Sequence, residues 1–145
     1  MNNSMNNLTE IRVAMVGSSG SGKSAILERL QGRPFTPVYR PTTEITVYEV
    51  DLGEYRFIVS EYPGTRFYQA EDFADVTAYI LVVDPSRLSR NYGNTLQAVM
   101  PDNIPCAKME NKSELSSLPL TPDSCSAKNK TNLERAFLSI AQIHE

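Results

Sequence analysis

The stretch Gly17-Ser18-Ser19-Gly20-Ser21-Gly22-Lys23-Ser24 decides the fold of this chain. It follows a short apolar run, 11–16, and precedes a run of good helix formers, 25–30. A strand, a glycine-rich loop and a helix in this order are the setting of a phosphate-binding P-loop, because glycines let successive backbone N–H groups converge on phosphate oxygens. The positive end of the helix dipole adds to this attraction. The alternative, a flexible Gly/Ser linker, is not expected between a strand and a helix.

The loop also predicts individual roles for its residues. Lys23 is expected to reach the β- and γ-phosphates, and the Ser24 hydroxyl is expected to ligate Mg²⁺. The predicted phosphate-binding residues are Ser19, Gly20, Ser21, Gly22, Lys23, Ser24 and Ala25.

Composition limits the other classes of function. The 145 residues suit one domain, expected over 10–145 after a flexible polar segment, 1–9. A net charge of -3 argues against a nucleic-acid-binding surface. Cys106 and Cys125 make neither a disulfide framework nor a metal-ligand set, so both are expected to pack as small apolar side chains in a reducing compartment. No run reaches membrane-spanning length and the last four residues hold no prenylation cysteine, so we expect a cytoplasmic protein without an encoded anchor.

Hydrophobic patterning predicts strands alternating with helices. Strands are expected at 11–16, 45–52, 55–60, 78–83 and 104–109, and a helix at 23–31. The segment 88–100 could hold another helix, and the capping box 131–134 should begin the last one, with one apolar stripe on the sheet. This order predicts an α/β fold, a doubly wound, mostly parallel sheet with one antiparallel edge hairpin. Ligands of such sheets bind at the carboxyl ends of the strands, where Gly17, Glu61, Asp84 and Asn111 fall.

Three further loops carry a resemblance. Phe35 precedes Pro41-Thr42-Thr43-Glu44, and Asn111-Lys112-Ser113-Glu114 precedes Ser126-Ala127-Lys128. With the P-loop, these elements resemble the Ras-type small GTPases along nearly the whole chain. The resemblance implies a P-loop NTPase G-domain fold that binds GTP or GDP with Mg²⁺. It also implies effector or regulator proteins that bind to loops 35–44 and 61–74, and it leaves the oligomeric state open.

The resemblance implies roles for particular residues. Phe35 would pack on the guanine edge, and Thr42 would sense the γ-phosphate. The implied metal ligands are Ser24, Thr42 and Glu61, and hydrolysis would depend on Lys23, Thr42, Gly64 and Thr65. The implied base site comprises Asn111, Lys112, Glu114, Ser126, Ala127 and Lys128.

Two of these loops depart from the family pattern. The family has DTAGQ where this chain has Glu61-Tyr62-Pro63-Gly64-Thr65. Thr65 is too short to orient the attacking water as the family's glutamine does, so we expect very slow GTP hydrolysis. Glu114 stands in place of an aspartate, and its extra methylene should weaken the selection of guanine. Arg40 is open to two interpretations, an arginine finger in cis or an ordinary solvated charge.

The chain also lacks room for one family helix. The segment 115–124 contains two prolines and is too short for a helix with its connections. In the strand before it, Cys106, Lys108 and Glu110 should face one way, and Ala107 and Met109 the other. We therefore expect one face of the sheet to be open to water, or covered by a partner, at this end.

Three hypotheses follow from the sequence. The first is a Ras-like guanine-nucleotide switch whose loops respond to the γ-phosphate. The second is a pseudo-GTPase, an interaction module with weak or no nucleotide binding, which the changes at Glu61, Thr65 and Glu114 favour and the intact Lys23-Ser24 disfavours. The third is a small nucleotide kinase, which shares only the P-loop and would need an arginine-rich lid that the chain lacks.

Overall fold

The structure is a computed structural model that describes residues 8–17, 21–34, 44–63, 70–84, 104–112 and 122–144. These residues form five strands, two α-helices and one short 3₁₀ turn at Ala70–Phe73. In chain order the α/β elements are β1 (Thr9–Gly17), α1 (Lys23–Leu30), β2 (Thr46–Leu52), β3 (Tyr55–Glu61), β4 (Ala78–Val83), β5 (Cys106–Glu110) and α2 (Arg135–His144).

The strands form one sheet in the order β2-β3-β1-β4-β5. Only β2 and β3 are antiparallel, and they are joined by a tight hairpin in which Gly53 has a φ of 61°. The pairs β1–β3, β1–β4 and β4–β5 are parallel. The predicted α/β fold with a mostly parallel sheet and one antiparallel edge hairpin is therefore confirmed. Because four strands run the same way, their carboxyl ends meet at one edge of the sheet.

The main hydrophobic core lies on the face of the sheet that carries both helices. Ile26 and Leu27 of α1 are fully buried there, and Phe137 and Ile140 of α2 are buried beside them. The ring of Phe137 meets Phe57 of β3 edge to face, with centroids 5.2 Å apart. The apolar stripe predicted for the last helix is thus confirmed, and it is buried at Leu133, Ala136, Phe137, Ile140 and Ala141.

A second, smaller cluster lies on the opposite face. Ala14 and Val16 of β1 pack there with Tyr79 of β4. Tyr62 and Phe73 complete the cluster, with ring centroids 4.6 Å apart. The Tyr62 hydroxyl donates to the carbonyl of Asp72 at 2.6 Å. Both faces of β1 and β4 are therefore buried, which accounts for their nearly continuous apolar sequence.

The capping-box prediction at 131–134 is wrong. The last helix begins at Arg135, and Thr131 instead pairs with Ser126 through two backbone hydrogen bonds of 3.0 and 3.1 Å. Asn132 follows with a left-handed φ of 56°. Since the backbone of Thr131 is already paired and Asn132 is not helical, the helix starts later, and the Glu134 carbonyl accepts the first bond, from Leu138 N at 2.9 Å.

Two details at β5 also differ from expectation. The strand starts at Cys106, two residues after the predicted start at Ile104. Cys125 is buried as predicted, but Cys106 is exposed, because it lies on the less covered face of the edge strand. The predicted alternation is confirmed, since Cys106 and Lys108 are exposed whereas Met109 is buried.

Two predicted features lie outside the described residues. These are the helix at 88–100 and most of the shortened segment 115–124. At the end of that segment Ser124 forms a parallel bridge with Glu110. The division into a flexible segment, 1–9, and a domain, 10–145, stays a prediction.

Candidate functional site

Lys23 is a buried cation at the carboxyl edge of the sheet. It is the first residue of α1, its side chain returns toward the end of β1, and Nζ donates to the Gly17 carbonyl at 2.8 Å. Burial lowers the Lys23 pKa to about 8, and the Glu61 carboxylate partly opposes this effect. Keeping a lysine charged when it is only 5% exposed costs free energy, so its position favours an anionic ligand that would stabilise the charge.

Ser24 and Glu61 form a second polar pair beside Lys23. The Ser24 hydroxyl lies 2.7 and 2.8 Å from the two carboxylate oxygens of Glu61 and donates to them. Glu61 is the last residue of β3 and is only 2% exposed, so the carboxylate is held in place by the sheet. Within the described ranges no three His, Cys, Asp or Glu side chains form a metal cluster. A hydroxyl and one carboxylate nevertheless fit Mg²⁺, which takes few protein oxygens and completes its shell with phosphate and water.

Gly22 connects the phosphate loop to the next part of the site. Its φ is 97°, a left-handed conformation that glycine adopts without strain. A Cβ atom there would lie 2.1 Å from Nδ2 of Asn111. Glycine is therefore required both by the backbone and by the neighbouring side chain.

Asn111 joins three segments through its side chain and backbone. Its Nδ2 donates to the Ser21 carbonyl at 3.0 Å, and its Oδ1 accepts from Ala127 N at 3.1 Å. Its own backbone N–H donates to the Val83 carbonyl at 2.8 Å. The phosphate loop, the end of β4 and the loop at 125–127 are thus held together by one residue that is 1% exposed.

Lys112 is fixed by a different contact. It has a left-handed φ of 60°, and its Nζ lies 3.7 Å from a carboxylate oxygen of Asp84, which is 5% exposed. The pair lies where β4 and β5 end, beside Asn111. Asp84 therefore balances the charge of Lys112 at the predicted base site.

The segment 125–131 is a closed turn on the same edge. The Ser126 hydroxyl accepts from Asn129 N at 3.0 Å, and Arg29 of α1 donates from Nε to the Ala127 carbonyl at 3.0 Å. Ser126 and Ala127 are buried, whereas Lys128 is exposed. The structure thus brings Asn111, Ser126 and Ala127 together and leaves the Lys128 side chain in solvent.

Several predicted site residues lie outside the described residues. They are Ser19, Gly20, Phe35, Arg40, Thr42, Gly64, Thr65 and Glu114. Their roles stay predictions. The described members of the phosphate and metal set, Ser21, Gly22, Lys23, Ser24, Ala25 and Glu61, lie around the junction of β1, α1 and β3.

Comparison with known proteins identifies the family. The sequence profile of the ADP-ribosylation factor family matches residues 1–104. This chain belongs to that family. ADP-ribosylation factors are small GTPases of the Ras superfamily, so the predicted relation of this chain to the Ras-like small GTPases is confirmed.

A more distant relative is a larger P-loop GTPase. The chain is 32% identical over 79 residues to the dynamin-like GTPase MGM1, mitochondrial, of Saccharomyces cerevisiae, a match that covers 51% of this chain. It covers 9% of the yeast protein, so this chain spans a small part of that relative's length. No described helix is long and apolar enough to cross a membrane.

Sequence reasoning missed three residues that support the site. Asp84 was placed at the ligand edge but given no role, although a carboxylate directly after a buried strand is a detectable signal. The Arg29 contact depends on the packing of α1 against the turn at 125–131, which no motif shows. Tyr48 of β2 lies next to Ser24 and Glu61, and only the strand register reveals it.

Proposed function

We propose that this ADP-ribosylation factor family domain is a guanine-nucleotide switch with very slow intrinsic GTP hydrolysis. The observation that carries the proposal is the cluster of buried Lys23 and Glu61 with half-buried Ser24 at the carboxyl edge of the sheet. It combines a desolvated cation for phosphate with a hydroxyl and a carboxylate for Mg²⁺. GTPases of this family generally bind GTP or GDP with Mg²⁺.

Each described residue has a distinct part in this proposal. Lys23 and the N–H groups at the start of α1 would hold the phosphates, and Ser24 with Glu61 would hold Mg²⁺. When bound, Mg²⁺ supplies charge neutralisation on the β- and γ-phosphates. Asn111 connects the phosphate loop to the turn at 125–127, so guanine and phosphate would be bound by one connected unit.

Slow hydrolysis follows from Thr65 at the position of the family's glutamine. Positioning provides most of the catalysis in phosphoryl transfer, and loss of a positioning group costs orders of magnitude in rate. GTP would thus persist, and the loops 35–44 and 61–74 would present the GTP-bound surface to effector or regulator proteins for longer.

A pseudo-GTPase is the second candidate, and one observation favours it. Two polar groups of the site already have partners within the chain, since Lys23 donates to the Gly17 carbonyl and Ser24 donates to Glu61. A lysine and a hydroxyl that are paired within the protein are compatible with a fold kept as an interaction module. The buried charge of Lys23 still favours the nucleotide-binding switch, because a scaffold gains nothing from a lysine whose pKa is about 8.

One experiment separates the two candidates. The freshly purified protein is denatured, and the released nucleotide is identified by chromatography. Stoichiometric GDP or GTP supports the switch, and intact GTP after purification also supports slow hydrolysis. An empty protein that ignores added GTP and Mg²⁺ rejects the switch.

A variant pair sharpens this test. Lys23→Ala should abolish nucleotide retention in the switch, whereas Lys108→Ala removes an exposed lysine of β5 and should leave retention unchanged. Equal retention by both variants would contradict the role given to Lys23.

A further inference from the structure

Tyr48 projects toward the proposed metal site from the edge strand. In the β2–β3 hairpin Tyr48 lies opposite Val59, and Thr46 lies opposite Glu61. Side chains two residues apart on a strand share a face, so Tyr48 and Glu61 are diagonal neighbours on the face that α1 covers. An aromatic side chain can span this diagonal. Tyr48 is half-buried against the main core.

The phenol of Tyr48 lies among the groups of the metal site. Ser24 is within hydrogen-bonding reach of the hydroxyl, and Glu61 is close enough to act on it. Glu28 and Arg33 are the other charged groups that face it. A phenol O–H is a hydrogen-bond donor, so the Tyr48 hydroxyl is available to donate.

The number of available protons decides which hydroxyl donates in the contact between Tyr48 and Ser24. A serine hydroxyl has one proton and two lone pairs, and Ser24 gives its proton to Glu61. Ser24 can then only accept from Tyr48. One lone pair would accept the phenol O–H, and the other would remain for a metal ion. The Tyr48 hydroxyl would thus leave one side of the Ser24 oxygen available to Mg²⁺.

Glu61 creates a need for such a restraint. Its carboxylate has one more rotatable bond than the aspartate of the family pattern, and holding it costs more side-chain entropy. A tyrosine ring packed on the sheet has only two side-chain torsions and loses little on being fixed. We propose that Tyr48 is a positioning residue of the magnesium site, holding the Ser24–Glu61 pair in the geometry that the longer carboxylate would otherwise lose. This inference rests on the proposed nucleotide-binding function.

The test is Tyr48→Phe, which keeps the ring and removes the hydroxyl. Release of a fluorescent GDP analogue is followed at increasing Mg²⁺ concentrations. Loss of one hydrogen bond should raise the Mg²⁺ concentration that half-suppresses release by about threefold to tenfold. Release in excess EDTA should be unchanged, because without metal the pair has nothing to coordinate. A merely structural role would instead alter release in EDTA.

Two further variants define the mechanism. Tyr55→Phe removes the same group from the turn end of the same hairpin, six residues before Glu61 and roughly 20 Å along the strand, and should leave the Mg²⁺ dependence unchanged. In a Glu61→Asp background the effect of Tyr48→Phe should fall below about twofold, because the shorter carboxylate no longer needs the restraint.

The outcomes separate this inference from the function on which it rests. If the wild-type protein retains nucleotide in a Mg²⁺-dependent way but Tyr48→Phe behaves identically, the positioning role is rejected and the switch stands. An equal effect of Tyr48→Phe in the Glu61→Asp background also rejects it. If the wild-type protein binds no nucleotide, both the switch and the positioning role are rejected.

Discussion

The depressed pKa of Lys23 predicts an unusual pH dependence of stability for the nucleotide-free protein. Its pKa is about 8 in the folded state, against 10.5 for an ordinary lysine. Because the folded pKa is the lower one, the unfolded chain binds more protons between these values, and stability increases with pH across this window. The full pKa shift of Lys23 corresponds to about 3 kcal/mol in the free energy of unfolding. About 2 kcal/mol of this increase should appear between pH 7 and pH 9.5.

The measurement compares the wild-type protein with Lys23→Met, both stripped of nucleotide and Mg²⁺. Urea unfolding at pH 7, 8, 9 and 9.5 gives the free energy of unfolding of each. Tyr48, Tyr62 and Cys106 have raised pKa values, so their contributions to the stability of the folded protein fall as pH rises. The wild-type curve alone therefore mixes opposite effects. The difference between the two proteins isolates Lys23, since these groups are common to both.

We expect the free energy of unfolding of the wild-type protein to rise by about 2 kcal/mol relative to that of Lys23→Met between pH 7 and pH 9.5. Parallel curves for the two proteins would show that Lys23 titrates as an ordinary lysine. Lys23 would then not be the desolvated cation that the proposed phosphate site requires.

Two further variants test the packing that forms the site. Gly22→Ala should cost about 3 kcal/mol, because it combines a left-handed alanine with a clash against Asn111 that breaks a buried hydrogen bond. Gly32→Ala is the matched control in urea unfolding, since Gly32 also has a positive φ but nothing within 4 Å of the added Cβ; equal losses would contradict the clash. Phe137→Ala should cost about 3–5 kcal/mol because it empties a fully buried position against Phe57. Leu138→Ala changes a side chain that is 38% exposed and should cost less than about 1 kcal/mol by the same measurement. Similar losses for Phe137→Ala and Leu138→Ala would show that the apolar stripe of the helix does not face the core as described.

The fold was largely predictable because its signals are local. The apolar run at 78–83 could only be a covered strand, and the hairpin at 53–54 is marked by a glycine between two β-rich runs. The start of the last helix was not predictable in this way. A capping box describes a local preference, and the pairing of Thr131 with Ser126, made only once the chain folds back, overrode it.

The positions of the candidate site residues were predictable where a short motif contains them. Lys23, Ser24 and Asn111 each belong to a short pattern, and the structure brings all three to one edge. The contacts of Arg29 and Tyr48 were not predictable, because a lone arginine on a helix or a lone tyrosine on a strand has no motif. Their roles come from helix packing and strand register.

The sequence alone determined the order of strands and helices, the phosphate loop and the residues that meet at the carboxyl edge. This follows because hydrophobic period, glycine placement and motif spacing act over a few neighbouring residues. The tertiary structure alone decided how charges balance there: Lys23 against Glu61, Lys112 against Asp84, and Asn111 bonded across three segments. Burial and distance determine these contacts, and both arise only when segments far apart in the chain pack together.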